Sequence, residues 1–409
     1  MAAQGEKKNI VIIGGGIIGC TTAYYLTRHP AYDPSLHSIT LLEASKIAGG
    51  ASGKAGGLLG LWAYPSCIVP LSYREHAKLA KEHGGEQRWG YRPVHCGQIS
   101  ARGRSLKALA AAVDGKGGDS KVSLQKRTKE AISSLRKAGI PEDLDWIAPE
   151  SLEEYDEMGD PENTAQVHPY QFTTSMAALA EEKGAKIILG AVSDIEKSGD
   201  QVKSVTYSDK ASGESHTIPA TDVIISAGPW TRNVYPKAPI SSIRAHSVVI
   251  RAHSPISPYA LFTEISLPAG FSKKSRGPSY VAPEIYARPN DEAYCCGEGD
   301  RLVPLPKTSD AVEVDESRCQ DILDQVASIS DELKDGDVIA KQACYLPNVT
   351  AGNGPLIGQT GTKGLLMAAG HTCWGIQNGP GTGKLMSEFV FDGKAKSANV
   401  SSLDPRKVL

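Results

Sequence analysis

The sequence predicts an α/β protein, α+β overall, in which a Rossmann-like nucleotide-binding domain with a β-meander is joined to a second domain built on an antiparallel sheet. Three observations predict it. The apolar run from Asn9 breaks at Gly14-x-Gly16-x-x-Gly19 and passes into a helical pattern, short alternating runs succeed one another between Val192 and Ile218, and the runs beyond Pro229 are separated by Pro-rich turns. At 409 residues the chain exceeds one average domain, so two cooperating domains are expected.

Taken in order, Asn9–Ile13 reads as a buried parallel strand, Gly14–Gly19 as a turn, Cys20–Arg28 as a helix and Ser38–Glu43 as a second strand, which completes a β-α-β unit. The stretch Gly49–Gly60 holds Gly49, Gly50, Gly53, Gly56, Gly57 and Gly60, too many for a helix, and reads as a binding loop whose backbone must approach something closely. A Lys/Gly/Ser/Asp-rich segment within Gly103–Ile140 reads as a surface insertion. A helix over Gln171–Lys183 leads to a strand Ala185–Leu189, a meander through Val192–Ile195, Val202–Ser208 and His216–Ile218, and an apolar strand Asp222–Ser226. The runs Ser247–Arg251, Ser279–Ala282 and Ala293–Gly297 supply the antiparallel sheet, expected to face a substrate. Gly364–Ala369 is a last buried strand, His371–Gly383 a loop and Lys384–Phe391 a closing helix. The nucleotide-binding domain is therefore expected at 1–75, 156–235 and 343–409, and the substrate domain at 76–155 and 236–342.

With 44 basic against 46 acidic residues, the formal charge of -2 gives no global attraction to nucleic acid or to an anionic membrane, so a small-molecule partner is expected. Ile10–Ile18 is too short for a membrane span and is interrupted by glycines. Met1–Lys8 lacks the apolar core of a secretory signal and Lys407-Val408-Leu409 is no peroxisomal tripeptide, from which a cytoplasmic location is expected. The eight cysteines include no C-x-x-C pair and no matching histidine spacing, so neither a metal site nor a disulfide framework is expected. The neighbours Cys295 and Cys296 read as small apolar residues on opposite faces of a strand.

In the fingerprint Gly14 makes the tight turn, Gly16 admits a pyrophosphate and Gly19 lets helix and strand pack closely, with Ile17 and Ile18 opening the helix whose N-terminus faces the phosphates. Glu43 follows at 43 − 19 = 24 residues, where an acid can accept from both hydroxyls of an adenosine ribose. FAD and NAD share this ADP half, and the fingerprint alone leaves both open. The Gly-Lys at Gly383-Lys384 is not a phosphate-binding P-loop, because Leu385 follows and Asn378 replaces the first glycine.

Downstream, Glu43-Ala44 with Gly50-Ala51-Ser52-Gly53-x-x-Gly56-Gly57 and Leu58 resembles the second flavin segment of the D-amino-acid, glycine and sarcosine oxidase superfamily. Val167-His168-Pro169, Gly190-Ala191-Val192, Ala227-Gly228-Pro229-Trp230, Pro355-Leu356-Ile357-Gly358, Ala368-Ala369-Gly370-His371 and Gly375-Ile376-Gln377-Asn378-Gly379-Pro380 resemble its later segments in the same order. The resemblance implies FAD, with Ser52 on a phosphate oxygen, Val192 at a turn contacting adenine, Ala227, Gly228 and Trp230 closing over the cofactor, and the helix start after Gly370 directed at the flavin ring. It implies oxidation of a C–N bond in a small-molecule amine by hydride transfer to flavin N5, giving an imine, with O2 (and hence H2O2) or another electron acceptor closing the cycle.

Set against that family, Cys344 stands near where some members link a cysteine covalently to flavin. The alternative, a buried small residue beside non-covalent FAD, is preferred from the burial habit of free cysteine. Leu346 and Cys373 occupy places where glycine oxidase-like members carry arginines for a substrate carboxylate, and Gln377 stands near a lysine of the sarcosine oxidase branch. Arg288 is the leading substitute anchor, against the commoner reading of a solvated charge at a strand end. His371 and Trp374 are expected beside the flavin, His371 also as a residue fixing the local backbone. No lysine for oxygen activation is placed; Cys295 or Cys296 falls near its position. Two rival readings stay open, an NAD(P)-dependent dehydrogenase and a flavin-bearing regulatory or trafficking protein with little catalysis.

Overall fold

A computed structural model describes residues 6–105, 139–271, 277–352 and 354–409. Most of the expected insertion at 103–140 lies outside the described residues. The strand Lys8–Ile13 forms the middle of an eight-stranded sheet, pairing in parallel with His37–Glu43 on one side and Asp222–Ile225 on the other. Ala185–Ser198 and Leu365–Ala369 extend this parallel centre, and Gln201–Asp209, Ser215–Pro219 and Leu356–Gln359 close its edges antiparallel. Burial on both faces explains why the central strands read as unbroken Ile, Val and Leu. Ile10 and Ile12 point into a core shared with the helices Ile17–Leu26, Pro169–Glu181 and Gly375–Asp392, while Val11 and Ile13 point towards the meander.

The meander is present, with one difference from the sequence reading: Ala185–Leu189 and Val192–Ile195 belong to a single strand, and Gly190-Ala191-Val192 lies within it rather than in a turn. A Cβ at Gly190 would sit 2.4 Å from the Tyr207 ring, so the glycine makes room for an aromatic neighbour across the ladder.

The C-terminal segment differs more. His371–Gly383, expected as a loop, is largely helix, because one helix runs from Gly375 to Asp392. Its glycines are there for close packing: a Cβ at Gly379 would lie 2.7 Å from Ile17 Cγ1, and one at Gly383 2.5 Å from the backbone carbon of Thr21. Thr21 Oγ1 donates to Gly379 O at 2.8 Å across the same seam. Pro380 sits inside this helix and brings no N–H for the carbonyl four residues earlier. That carbonyl, Ile376 O, instead meets buried His76 Nε2 at 2.9 Å.

The second sheet runs in the order Asp337–Val349, Ile240–Arg251, Glu292–Cys296, Glu284–Arg288, Tyr259–Leu267, His95–Arg102, Leu152–Gly159, with Ser279–Val281 beside Tyr259–Leu267. It is antiparallel but for Tyr259–Leu267 and His95–Arg102, which pair in parallel. Leu261, Ile285, Cys295 and Val248 face a core closed by Cys319, Ile322 and Val326 of the helix Glu316–Ala327. The mixed α/β architecture is the one the sequence predicts. Within 76–155, Leu79, Ala80 and Trp89 pack in the core of the first sheet, and the second sheet begins at His95. Among the described residues no helix is long and apolar enough to cross a membrane, and no trio of His, Cys, Asp or Glu is grouped to hold a metal ion.

Candidate active site

The C-terminal ends of the parallel strands open into a long cavity, with about 1290 Å³ of empty space when the solvent at its mouth is included. Gly14, Gly16, Ile17 and Ile18 line it at the turn, Glu43, Ala44, Ala51, Ser52 and Ala55 along the glycine-rich loop, and Gly190–Val192 from the meander. Ala227, Gly228 and Trp230 close one side, and Gly370, His371, Gly375 and Ile376 the opposite end. Two helices, Ile17–Leu26 and Gly375–Asp392, thus begin at the cavity wall, and neither has an acidic residue in its first turn or a side-chain cap at its N-cap residue. Their N-terminal N–H groups offer positive potential to an anion.

The turn is held by short contacts. Gly14 has φ +111, and a Cβ there would lie 2.5 Å from Ser226 O. A Cβ at Gly19 would stand 1.9 Å from Gly14 O, which is why that position packs and does not line the cavity. Glu43 Oε2 accepts from Gly15 N at 2.7 Å, and its Oε1 accepts from Ser45 N at 2.8 Å and Ser45 Oγ at 3.0 Å. The carboxylate therefore buttresses the turn, with lone pairs to spare for a ligand. Ser52 Oγ accepts from Ile17 N at 2.9 Å, bringing loop and helix start together. Gly53, Gly56, Gly57 and Leu58 do not line the cavity; Gly56 is crossed by the Tyr286 ring, 2.3 Å from where its Cβ would be.

The expected substrate-side residues separate. His371 lines the cavity at 3 % exposure, and its Nε2 meets Thr382 Oγ1 at 3.0 Å; burial lowers it to about 3, so the ring is neutral. Trp374 stands at the head of the C-terminal helix with its ring edge-on to Trp62, centroids 5.7 Å apart, and to Tyr64. Gln377 turns away from the cavity, and its Oε1 accepts from Gly60 N at 2.8 Å. Arg288 is buried, which overturns the solvated reading. Its guanidinium donates to Ala55 O and to Gly56 O, the latter at 3.2 Å, and lies 4.8 Å from the Tyr294 ring centroid. It pins the glycine-rich loop to the second sheet and is outside the cavity lining.

Cys344 is buried and outside the lining too, although Leu346 and Pro347 of its strand reach it. Burial pushes its thiol up to about 11, against the opposing pull of the nearby Lys54. Lys54 Nζ donates to Ala343 O at 2.8 Å. The sequence reading also missed Lys307-Thr308-Ser309, which cover the cavity from the second sheet's side, tied down where Trp230 Nε1 donates to Pro306 O at 2.7 Å. No periodicity marks that segment, so only the fold discloses it.

A family model described as FAD dependent oxidoreductase, DAO, matches residues 9–389. A relative from Saccharomyces cerevisiae, named "Putative oxidoreductase TDA3", is 38% identical over 98% of this chain and 94% of its own length. Another, from Schizosaccharomyces pombe, is 35% identical over 98% of each. Among solved structures, glycine oxidase from Bacillus cereus shares the fold at a TM-score of 0.68 and 19% identity, over 98% of this chain and 100% of that one. L-proline dehydrogenase from P. horikoshii does so at 0.69 and 17%, over 99% and 98%.

Proposed function

The chain belongs to the DAO family of FAD-dependent oxidoreductases, and on that premise we propose that it oxidises a C–N bond of an amine or amino-acid-like small molecule to an imine, which water then hydrolyses. The carrying observation is that the fingerprint turn, the glycine-rich loop, the meander and the head of the C-terminal helix all line one cavity. Bound there, FAD supplies a two-electron acceptor for the hydride of the carbon beside the amine nitrogen.

The residues present fit that cofactor. Gly14, Gly16 and the N–H groups opening Ile17–Leu26 would hold the pyrophosphate, with Lys307 as a cation on the segment that covers the cavity. Glu43 would take the ribose, and Gly190–Val192 the adenine end. The start of Gly375–Asp392 would face the ring, where its dipole favours negative charge. His371, neutral and tied to Thr382, holds that end in shape and moves no proton near neutral pH. The buried, protonated thiol of Cys344 supports a non-covalent cofactor.

The test is an absorption spectrum of purified protein, before and after acid precipitation, then anaerobic addition of a panel of amines. Flavin bands that pass into the supernatant and bleach with at least one amine support the reading; absence of flavin even after added FAD would sink it. A flavin protein without turnover is the second reading, favoured by the absence of arginine among the described cavity-lining residues. Flavin bands that no amine bleaches would put it first.

A further inference from the structure

On its inner face the second sheet carries one row of residues in direct cross-strand register: Phe262 opposite Glu284, Glu284 opposite Cys296, Cys296 opposite Ser247, and Ser247 opposite Gln342. Residues directly opposite share a face. This face meets the glycine-rich loop, because Gln342 Nε2 donates to Lys54 O at 3.4 Å and the rings of Tyr286 and Tyr294 cross Gly56. It therefore adjoins the cavity wall at Ala55 and Cys373, while Glu284, Phe262, Trp62 and Trp374 themselves stand outside the cavity lining.

Two charged side chains project from this face along Glu284–Arg288, and their situations are opposite. Arg288 spends its hydrogen bonds on loop carbonyls. Glu284 is half-buried, and its two neighbours are neutral donors: Tyr286 Oη and, at 3.7 Å, Cys296 Sγ, both to Oε2. Burial, and next the Glu284 carboxylate itself, push that phenol and that thiol well above their ordinary values, so both keep their protons. Among the described residues no lysine or arginine pairs with Glu284, and no hydrogen bond reaches its Oε1. The rings of Tyr286 and Phe262 adjoin it, their centroids 6.1 Å apart, and from Phe262 a chain of rings leads away through Trp62 and Trp374 to Tyr64, with successive centroids 6.2, 5.7 and 5.9 Å apart. A carboxylate with one free oxygen beside aromatic faces attracts a cation by charge and by ring quadrupole, and repels a carboxylate.

We infer that the substrate chamber selects an organic ammonium group through Glu284 and the adjoining ring of Phe262, with Trp62 and Trp374 continuing the aromatic wall beyond it, so that the substrate class is a cationic amine without a carboxylate. This deepens the proposed amine oxidation and rests on that reading for the location of the chamber. Glu284 is thereby a specificity residue.

The probes are benzyltrimethylammonium, a cation whose quaternary nitrogen has no lone pair with which to form an imine, and phenylacetate, an anion of similar bulk, titrated into FAD-loaded protein by calorimetry and flavin difference absorbance. The cation should bind more tightly than the anion by about tenfold or more. Glu284→Gln, which keeps an acceptor for Tyr286, should remove most of that preference, and Glu284→Arg should reverse it. Tighter binding of phenylacetate to the wild-type protein, or a Glu284→Gln variant with full flavin and unchanged cation affinity, would overturn the inference. Because wild-type binding is compared directly, a variant that fails to fold leaves the test standing. Cation binding without any amine bleaching the flavin would defeat the proposed oxidation and leave the recognition site intact.

Discussion

At the residue scale, burial decides what the ionisable groups of the site can do. His371 and His76, lowered to about 3 and about 4 by burial, are neutral in the fold. In the unfolded chain a histidine protonates near 6.5, so below that pH the unfolded state binds more protons. The stability each contributes is present above about pH 6.5 and is lost as pH falls towards 3 to 4. His371→Gln should flatten the pH dependence of stability between about pH 6 and 4 by up to one proton, or about 1.4 kcal/mol per pH unit, in urea unfolding at fixed pH. An unchanged slope would mean that His371 is solvated. Arg288→Met should cost about 2–4 kcal/mol, since it strands loop carbonyls that the guanidinium satisfies, and should weaken FAD retention on gel filtration; equal stability and flavin content would assign those carbonyls to water. Much of the cavity wall was legible from the residues, because Gly14, Gly16 and Glu43 act locally through turn, helix start and strand end. Arg288 was not, since its partners lie 232 and 233 residues away in sequence. Gln377 was misplaced for the same kind of reason: its partner, Gly60, lies on another segment.

At the element scale, the helix Gly375–Asp392 shows where composition misleads. Glycines at 375, 379 and 383 repeat at one helical turn and read as a loop when propensity alone is considered. On the helix they form a groove into which Ile17 and Thr21 of the first helix fit. Gly→Ala in a helix interior ordinarily gains up to about 1 kcal/mol. Here Gly383→Ala should instead lose about 1–3 kcal/mol, as overpacking does, because the added methyl meets backbone. Thermal melts with and without FAD would show it, and a melting temperature raised by the substitution would show that the seam yields. The strands of the first sheet were legible as apolar runs because both their faces are buried. Several strands of the second sheet, Tyr259–Leu267 and Asp337–Val349 among them, went unread: their partners are set by register with distant strands, and their alternation is diluted by a polar inner face.

At the scale of the whole molecule, one cavity gathers segments from residue 13 to residue 376. A ligand that binds only this assembled state stabilises all of it, by about 2.7 kcal/mol at a hundredfold excess over its Kd. Added FAD should therefore raise the melting temperature of cofactor-depleted protein in proportion to the logarithm of its concentration, and Glu43→Ala should shift that dependence to FAD concentrations at least about tenfold higher. A concentration-independent melting temperature would mean that the folded chain does not bind FAD in preference to the unfolded one. The strand order has a further consequence for synthesis. Leu365–Ala369 pairs with Asp222–Ile225, which pairs with Lys8–Ile13, so the central sheet needs a strand translated more than three hundred residues after its first. A ribosome adding about 5–20 residues per second leaves the earlier strands waiting, with one apolar edge exposed, for tens of seconds. During that interval the nascent chain is a client for chaperones, and a premature stop codon shortly before Leu365 would leave that edge without its neighbour for good.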